Sequence, residues 1–340
     1  MGEDTVIGVP RNSRHHVSRA RLLRLLDDVP LIVVRAPAAT GKTALVAEWA
    51  RNQERAGLWV TMGDPVPTRL EYWRTVVTAL ADIDALDRES PLREPLREPT
   101  LRRTLVRGFA RLRKPFTLIV DNHNVTDADV DTDLVTLAQH VDELTIAVAG
   151  RARTSLEHPR TQILVDTRVL GTKALAFTAA ETEALLDRHV DEATTADGRF
   201  VHELTGGHPG LLRAVIAHTQ HRAEALVSRE GLQEFLTLLV RAEVRRALQD
   251  PRQRPAATFV LRCSLADQMR PVLAHQFAAD LLLEEPLEEG LHRLEMLGVM
   301  DVDAISGTLE VSNYLRALLR VEARTHLREE LPELYATIAR

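Results

Sequence analysis

Leu31-Ile-Val-Val-Arg35-Ala-Pro-Ala-Ala-Thr40-Gly-Lys-Thr43-Ala44 decides the fold. A β-branched run behind Pro30 leads into a tight loop, and Gly41-Lys42-Thr43 opens a segment in which Leu45, Val46 and Trp49 recur at helical spacing. A strand, a loop and a helix start ending in Gly-Lys-Thr form the context of a Walker A phosphate loop. Backbone N–H groups from Ala38, Ala39 and Thr40 through Gly41 to Ala44 would form an anion cradle at the helix N-terminus. Lys42 would reach the β- and γ-phosphates, and the Thr43 hydroxyl would serve Mg²⁺. Ala36 stands where the strict pattern has its first glycine.

Such a loop needs an acid at the end of a neighbouring strand, and Phe116-Thr-Leu-Ile-Val-Asp121 supplies it. Asp121 would hold Mg²⁺ through water. The next position, where a second acid would polarise the attacking water, is Asn122. An amide has no useful basicity, so hydrolysis is expected to be slow or absent. Arg151 follows the strand-like Ala147-Val-Ala-Gly150 and could sense a γ-phosphate. Asp121, Asn122 and Arg151 are the candidate catalytic set, and Thr43 and Asp121 the candidate metal ligands.

The first half of the chain repeats this alternation. Strands are expected at Leu31–Val34, Leu58–Val60, Phe116–Val120, Leu144–Val148 and Ile163–Val169. A helix is expected from Thr43 to Arg55, with Gly57 as its stop, and another over Leu70–Leu80. Apolar runs separated by helices imply a parallel sheet covered on both faces. After Leu170 the text turns helical. Thr178-Ala-Ala-Glu181 is a capping box, Gly206-Gly207 a helix stop and Pro209 a helix start. Helices over Ala256–Cys263, Pro271–Phe277 and Leu287–Leu297 precede a hairpin around Ser306-Gly307, the order of a winged helix. Leu327–Arg340 is expected to be helical.

These features divide the chain into an α/β P-loop NTPase domain over 1–170, a small helical lid over 171–240, a winged-helix domain over 241–325 and the start of a further helical segment over 326–340. Composition is compatible with this. The 340 residues are 45% hydrophobic and 27% charged, enough for real cores. A net charge of -6 argues against a protein that coats nucleic acid. One cysteine excludes an intrachain disulfide, and no run is long enough for a membrane span. A cytoplasmic protein without a membrane partner is expected. Lys42, Lys114 and Lys173 are the only lysines among 43 basic residues, which suggests that each is needed as a compact charge.

The ordered set 17–26 (VSRARLLRLL), 35–50 (RAPAATGKTALVAEWA), 58–80, 118–124 (LIVDNHN), 146–154 (IAVAGRART), 174–186 and 203–215 (ELTGGHPGLLRAV) resembles the nucleotide-binding part of MalT-like, large LuxR-type regulators. These are signal-transduction ATPases with numerous domains (STAND), relatives of NB-ARC and NACHT switches. The resemblance implies a module that binds ADP at rest and exchanges it for ATP when an inducer, here unknown, arrives. It would then self-associate and present an effector, commonly a DNA-binding domain. The resemblance places Val17 and Arg19 on the adenine side and packs Pro209, of Gly207-His208-Pro209, on the adenine. It also carries departures: Ala39 stands where family loops have glycine, Asn122 replaces the second acid, and Ser312-Asn313 stand where related chains carry histidine-proline. The residues end about where the family's sensor repeats begin, so DNA contact is expected only through an effector domain outside them.

His218 and His221, three residues apart, lack a third ligand and read as a solvated helix face. Cys263 lies among apolar residues and reads as structural. Arg241, Arg245 and Arg246 read as packing and switching residues, not a DNA-binding patch. The sequence therefore points to an ATP/ADP switch module with Mg²⁺, at most a slow ATPase. The alternatives are an AAA-type ATPase acting on DNA or protein and an interaction scaffold with a vestigial phosphate loop.

Overall fold

A computed structural model of the chain describes residues 5–12, 16–37, 40–63, 65–124, 127–151, 153–189, 197–221, 229–281, 283, 299–302, 308–311 and 313–339. It divides into two compact units, Met1–Leu175 and Ala176–Arg340.

The first unit is a six-stranded parallel sheet. Its strands are β1 (Val6–Ile7), β2 (Leu31–Arg35), β3 (Ala56–Thr61), β4 (Phe116–Asp121), β5 (Leu144–Gly150) and β6 (Thr167–Leu170), in spatial order β1-β3-β4-β5-β2-β6. Alternation within each strand feeds two separate cores. Leu31, Val33, Leu118, Val120, Ile146 and Val148 pack with helices α3 (Arg69–Asp82), α4 (Leu101–Phe109) and α5 (Ala128–His140). Ile32, Val34, Ile119, Ala147 and Ala149 face the other way, onto α1 (Ala20–Leu26) and α2 (Lys42–Arg51). Both faces are covered along the central strands, so β2 and most of β4 and β5 read as apolar runs, as a doubly covered parallel sheet requires. The expected α/β class with a parallel sheet is thus the observed one.

Three local expectations are corrected. The helix expected to run to Arg55 and stop at Gly57 ends at Arg51, capped by Asn52. Gly57 sits inside β3, where a Cβ would strike the Thr117 carbonyl oxygen of β4. Ile163 is not in a strand. Pro159 starts a short helix, α6 (Pro159–Leu164), with His158 accepting from the Arg160 amide as its cap, and leaves Ile163 83% exposed. The strand begins only at Thr167. Finally, β4 does not adjoin β2. β5 lies between them, pairing with both.

The short α7 (Thr172–Leu175) ends the first unit, and the second holds α8 (Ala179–Asp187), α9 (Gly198–Thr205), α10 (Pro209–His221), α11 (Arg229–Gln249), α12 (Arg254–Ser264) and α13 (Pro271–Ala278). They are followed by β7 (Met300–Val302) antiparallel to β8 (Leu309–Val311), then helices Asn313–His326 and Leu331–Ala339. The Thr178 capping box is formed on both arms, and Gly206 closes α9 at φ 57. The boundary expected at 240/241 falls inside α11. Leu287–Leu297, Ser306-Gly307 and Ser312 lie outside the described residues. Arg262 is buried and forks onto Asp280 and Glu330 while donating to the Phe277 carbonyl at 2.8 Å, tying α12 to the end of α13 and to the last helix pair. Arg241 pairs with buried Glu322 and Arg246 with Glu243, so both arginines are engaged by acids. Cys263 is buried, its thiol pushed well above the usual range by burial, and it contacts the Met269 sulfur at 3.7 Å. The His218 ring stacks on Phe235.

Candidate functional site

The C-terminal ends of β2, β5 and β4 meet at one edge of the first unit, the edge where open parallel sheets bind ligands. β2 delivers Arg35-Ala36-Pro37, and Gly41 then turns the chain at φ 83 to start α2 at Lys42. That left-handed turn is cheap only for glycine. Ala36 does not need that freedom. It is fully buried in the α1/α2 core, and its amide donates to the Gly150 carbonyl at 3.2 Å. A methyl group is therefore accommodated where the strict motif has glycine. Ala38 and Ala39 lie outside the described residues.

Lys42 is buried, and its Nζ donates to the Pro37 carbonyl at 2.6 Å, folding back across its own loop. Its pKa is lowered to about 8, chiefly by burial and next by the Arg151 charge, while Asp121 opposes the shift. Arg151 is therefore within electrostatic reach of Lys42, although it leaves a different strand. Thr40 Oγ1 donates to the Pro37 carbonyl at 2.8 Å, so one carbonyl gathers the loop from both sides. Thr43 Oγ1 donates to Asp121 Oδ2 at 3.0 Å, across the end of β5. The start of α2 stands high enough over the sheet edge to reach past β5 to the second strand along. Ala44 follows on α2, half-buried.

The remaining predicted residues divide. Val17 and Arg19 are buried. Arg19 donates to the Gly41 carbonyl at 3.1 Å and the Leu175 carbonyl at 2.7 Å, so it clamps the turn of the phosphate loop to the end of the first unit. Pro209 lies in the second unit, buried at the first position of α10. Asn122, placed in the catalytic set by its position, turns its side chain to the Met62 carbonyl at 2.8 Å and to Asn124. It adopts φ 59, a left-handed conformation that asparagine tolerates better than most residues. The sequence reading missed Asn124, whose Oδ1 accepts from the Arg151 amide at 2.7 Å. It also missed His123, buried between Tyr72 and Asp131. Nothing in the spacing marks either residue: Asn124 is met by Arg151 beyond the end of β5, and His123 by Tyr72 of α3 and Asp131 of α5.

Thr43 and Asp121 offer a hydroxyl and a carboxylate on one spot beside a cationic loop. These are hard oxygen donors, few in number, as suits Mg²⁺ carried in on phosphates. Among the described residues no group of three or more His, Cys, Asp or Glu side chains forms a metal cluster, and no helix is long and apolar enough to cross a membrane.

No family model matches the chain. It is similar to the HTH-type transcriptional regulator MalT of Yersinia enterocolitica, with 23% identity over 97% of this chain and 38% of the relative. It is also similar to MalT of Serratia proteamaculans, with 25% identity over 85% of this chain and 34% of the relative. The chain thus spans little more than a third of the length of these relatives. Among solved structures, the Walker-type ATPase of Pyrococcus abyssi matches with a TM-score of 0.53 and 16% identity, covering 88% of this chain and 94% of that one. That likeness shows the fold, and the fold is that of a P-loop NTPase. With sequence similarity along nearly the whole chain and this fold beneath it, the resemblance holds: the chain is similar to the MalT regulators and has the fold of a P-loop NTPase.

Proposed function

We propose that the first unit binds ATP or ADP with Mg²⁺ and serves as the nucleotide-controlled switch of a MalT-like, LuxR-type transcriptional regulator. The observation that carries this is the joint placement of Lys42 within its loop and Thr43 on Asp121, which puts a cation and two metal donors on one sheet edge. In the bound state the loop amides and the start of α2 would hold the phosphates. Lys42 would exchange the Pro37 carbonyl for phosphate oxygens, and Thr43 and Asp121 would hold the metal, which spreads the charge of the β- and γ-phosphates. Arg151 would read the γ-phosphate. Exchange of ADP for ATP would shift the populations of two conformations and control self-association, on a signal from an inducer. The helices α8–α10 would act as the lid, with Pro209 beside adenine, and the hairpin with its flanking helices as a winged helix. Hydrolysis would be slow or absent, since Asn122 takes the position of a second acid after Asp121. The setting would be the cytoplasm, and DNA would be reached through an effector domain.

Protein purified without added nucleotide and then denatured is expected to release ADP or ATP. Titration calorimetry should show binding that Lys42→Ala abolishes. Unchanged affinity in Lys42→Ala would sink the site, and a protein that binds neither nucleotide would leave the loop a scaffold.

A further inference from the structure

At the sheet edge beside the phosphate loop, three side-chain hydrogen bonds run in one direction. Asn122 Nδ2 donates to the Met62 carbonyl at 2.8 Å. Asn124 Nδ2 donates to Asn122 Oδ1 at 2.6 Å. The Arg151 amide donates to Asn124 Oδ1 at 2.7 Å. The chain begins at a carbonyl, which can only accept, and ends at an amide N–H, which can only donate. Both carboxamide orientations are therefore fixed by the two ends. Each link needs a donor and an acceptor on the same side chain. An aspartate at either position would break the line, because an ionised carboxylate has no proton to give.

We infer that Asn122 and Asn124 are positioning residues for Arg151, an amide relay that ties the arginine to the ends of β3 and β4. This rests on the reading of Arg151 as the sensor of the γ-phosphate. The relay explains why an amide, not a second acid, follows Asp121: the position is used to brace the arginine. Arg151 itself is exposed and belongs to no regular element, so its backbone needs an external hold. The same strand ends are braced from the other side. The His123 amide donates to the Ala149 carbonyl at 2.8 Å, and its ring lies 3.0 Å from Asp131, whose second oxygen accepts from the Ser155 amide and hydroxyl. The backbone is thus held at Arg151 and again at Ser155. Bonds aligned in this way polarise one another, and losing one weakens the rest.

The test is a set of ATP and ADP affinities measured by calorimetry on the wild type, Arg151→Ala, Asn124→Ala and the double variant Asn124→Ala/Arg151→Ala. Arg151→Ala should weaken ATP relative to ADP by about tenfold, the worth of one charged contact. Asn124→Ala should reproduce most of that loss with ADP affinity unchanged, which also shows that the variant folds. The double variant should be no worse than Arg151→Ala, because the relay acts through the arginine. A wild-type ATP/ADP ratio in Asn124→Ala, or losses that add in the double variant, would overturn the relay. If Arg151→Ala keeps the wild-type ratio while nucleotide still binds, the sensor assignment fails and the relay with it. If the wild type binds neither nucleotide, the phosphate site fails first, and the inference falls with it.

Discussion

Lys42 carries the clearest chemistry of any single residue. Its amine sits in a poorly solvated loop near a second cation, and its pKa is held at about 8. A bound phosphate favours the charged form, so nucleotide raises that pKa, and binding above it must bring a proton along. Affinity for ADP should therefore be nearly flat from pH 7 to 7.5 and fall as pH rises through 8. The fall should approach about tenfold per pH unit by pH 9. Calorimetry at pH 9 in buffers of different ionisation enthalpy should read about one proton taken up per nucleotide. A pH-independent affinity from 7 to 9.5 would place the phosphates away from this lysine. Retention of lysine here in an arginine-rich chain makes sense on the same grounds. A guanidinium at this position would stay charged throughout, and a compact ammonium can turn from the Pro37 carbonyl to a phosphate oxygen without leaving the loop.

Among the elements, the site depends on three strand ends stopping at the right height, and Gly150 shows how closely they approach. A Cβ there would run into the His123 carbonyl oxygen, with the Asn124 side chain just beyond. Gly150→Ala must push the 122–124 segment away from β5. It should cost about 2 kcal/mol, in the range of other overpacking changes, read as a lower urea midpoint at constant slope. It should also loosen Arg151, its neighbour in the chain. A variant as stable as wild type would show that the segment gives way freely. The four central strands were legible because helices cover both faces of the sheet, so Leu31–Val34 and Leu118–Val120 are unbroken apolar runs. Val6–Ile7 was not, since two residues have no periodicity, and Ile163 misled because an exposed apolar pair abuts the true strand. Within the site, Lys42, Thr43 and Asp121 were legible because phosphate chemistry fixes both residue type and spacing. The roles of Asn122 and Asn124 were not. Each amide is aimed by whatever strand end lies beside it, and the fact that β5 separates β4 from β2 is a property of topology.

At the scale of the whole molecule, two units with separate cores should answer to different ligands. The cores of the first unit surround the phosphate loop, and the core of the second gathers residues from Val240 to Leu334. A nucleotide at one hundred times its Kd stabilises the state that binds it by about 2.7 kcal/mol, and the part of that gain due to the phosphates belongs to the first unit. Protons act on the second. His208 caps α10, its Nδ1 accepting from the Leu211 amide at 3.4 Å, and burial lowers its pKa to about 4. In the unfolded chain the same ring titrates near its ordinary value of 6.5. Between these two values the unfolded state binds the proton and the folded state does not, so stability rises with pH across that window and is lost as pH falls through it. Above pH 6.5 the ring contributes no slope, and below about 4 the loss is complete. Discounted for its partial exposure, the loss amounts to about 2 kcal/mol. Thermal scans should then resolve one transition that ADP raises at pH 7.5 and another that drops on acidification to pH 5. His208→Asn keeps a side-chain oxygen to cap the helix but has no ring to titrate. It should keep an ADP-sensitive transition and remove most of the acid drop in the other. An acid drop of the same size in His208→Asn would place the proton-sensitive group elsewhere in the second unit.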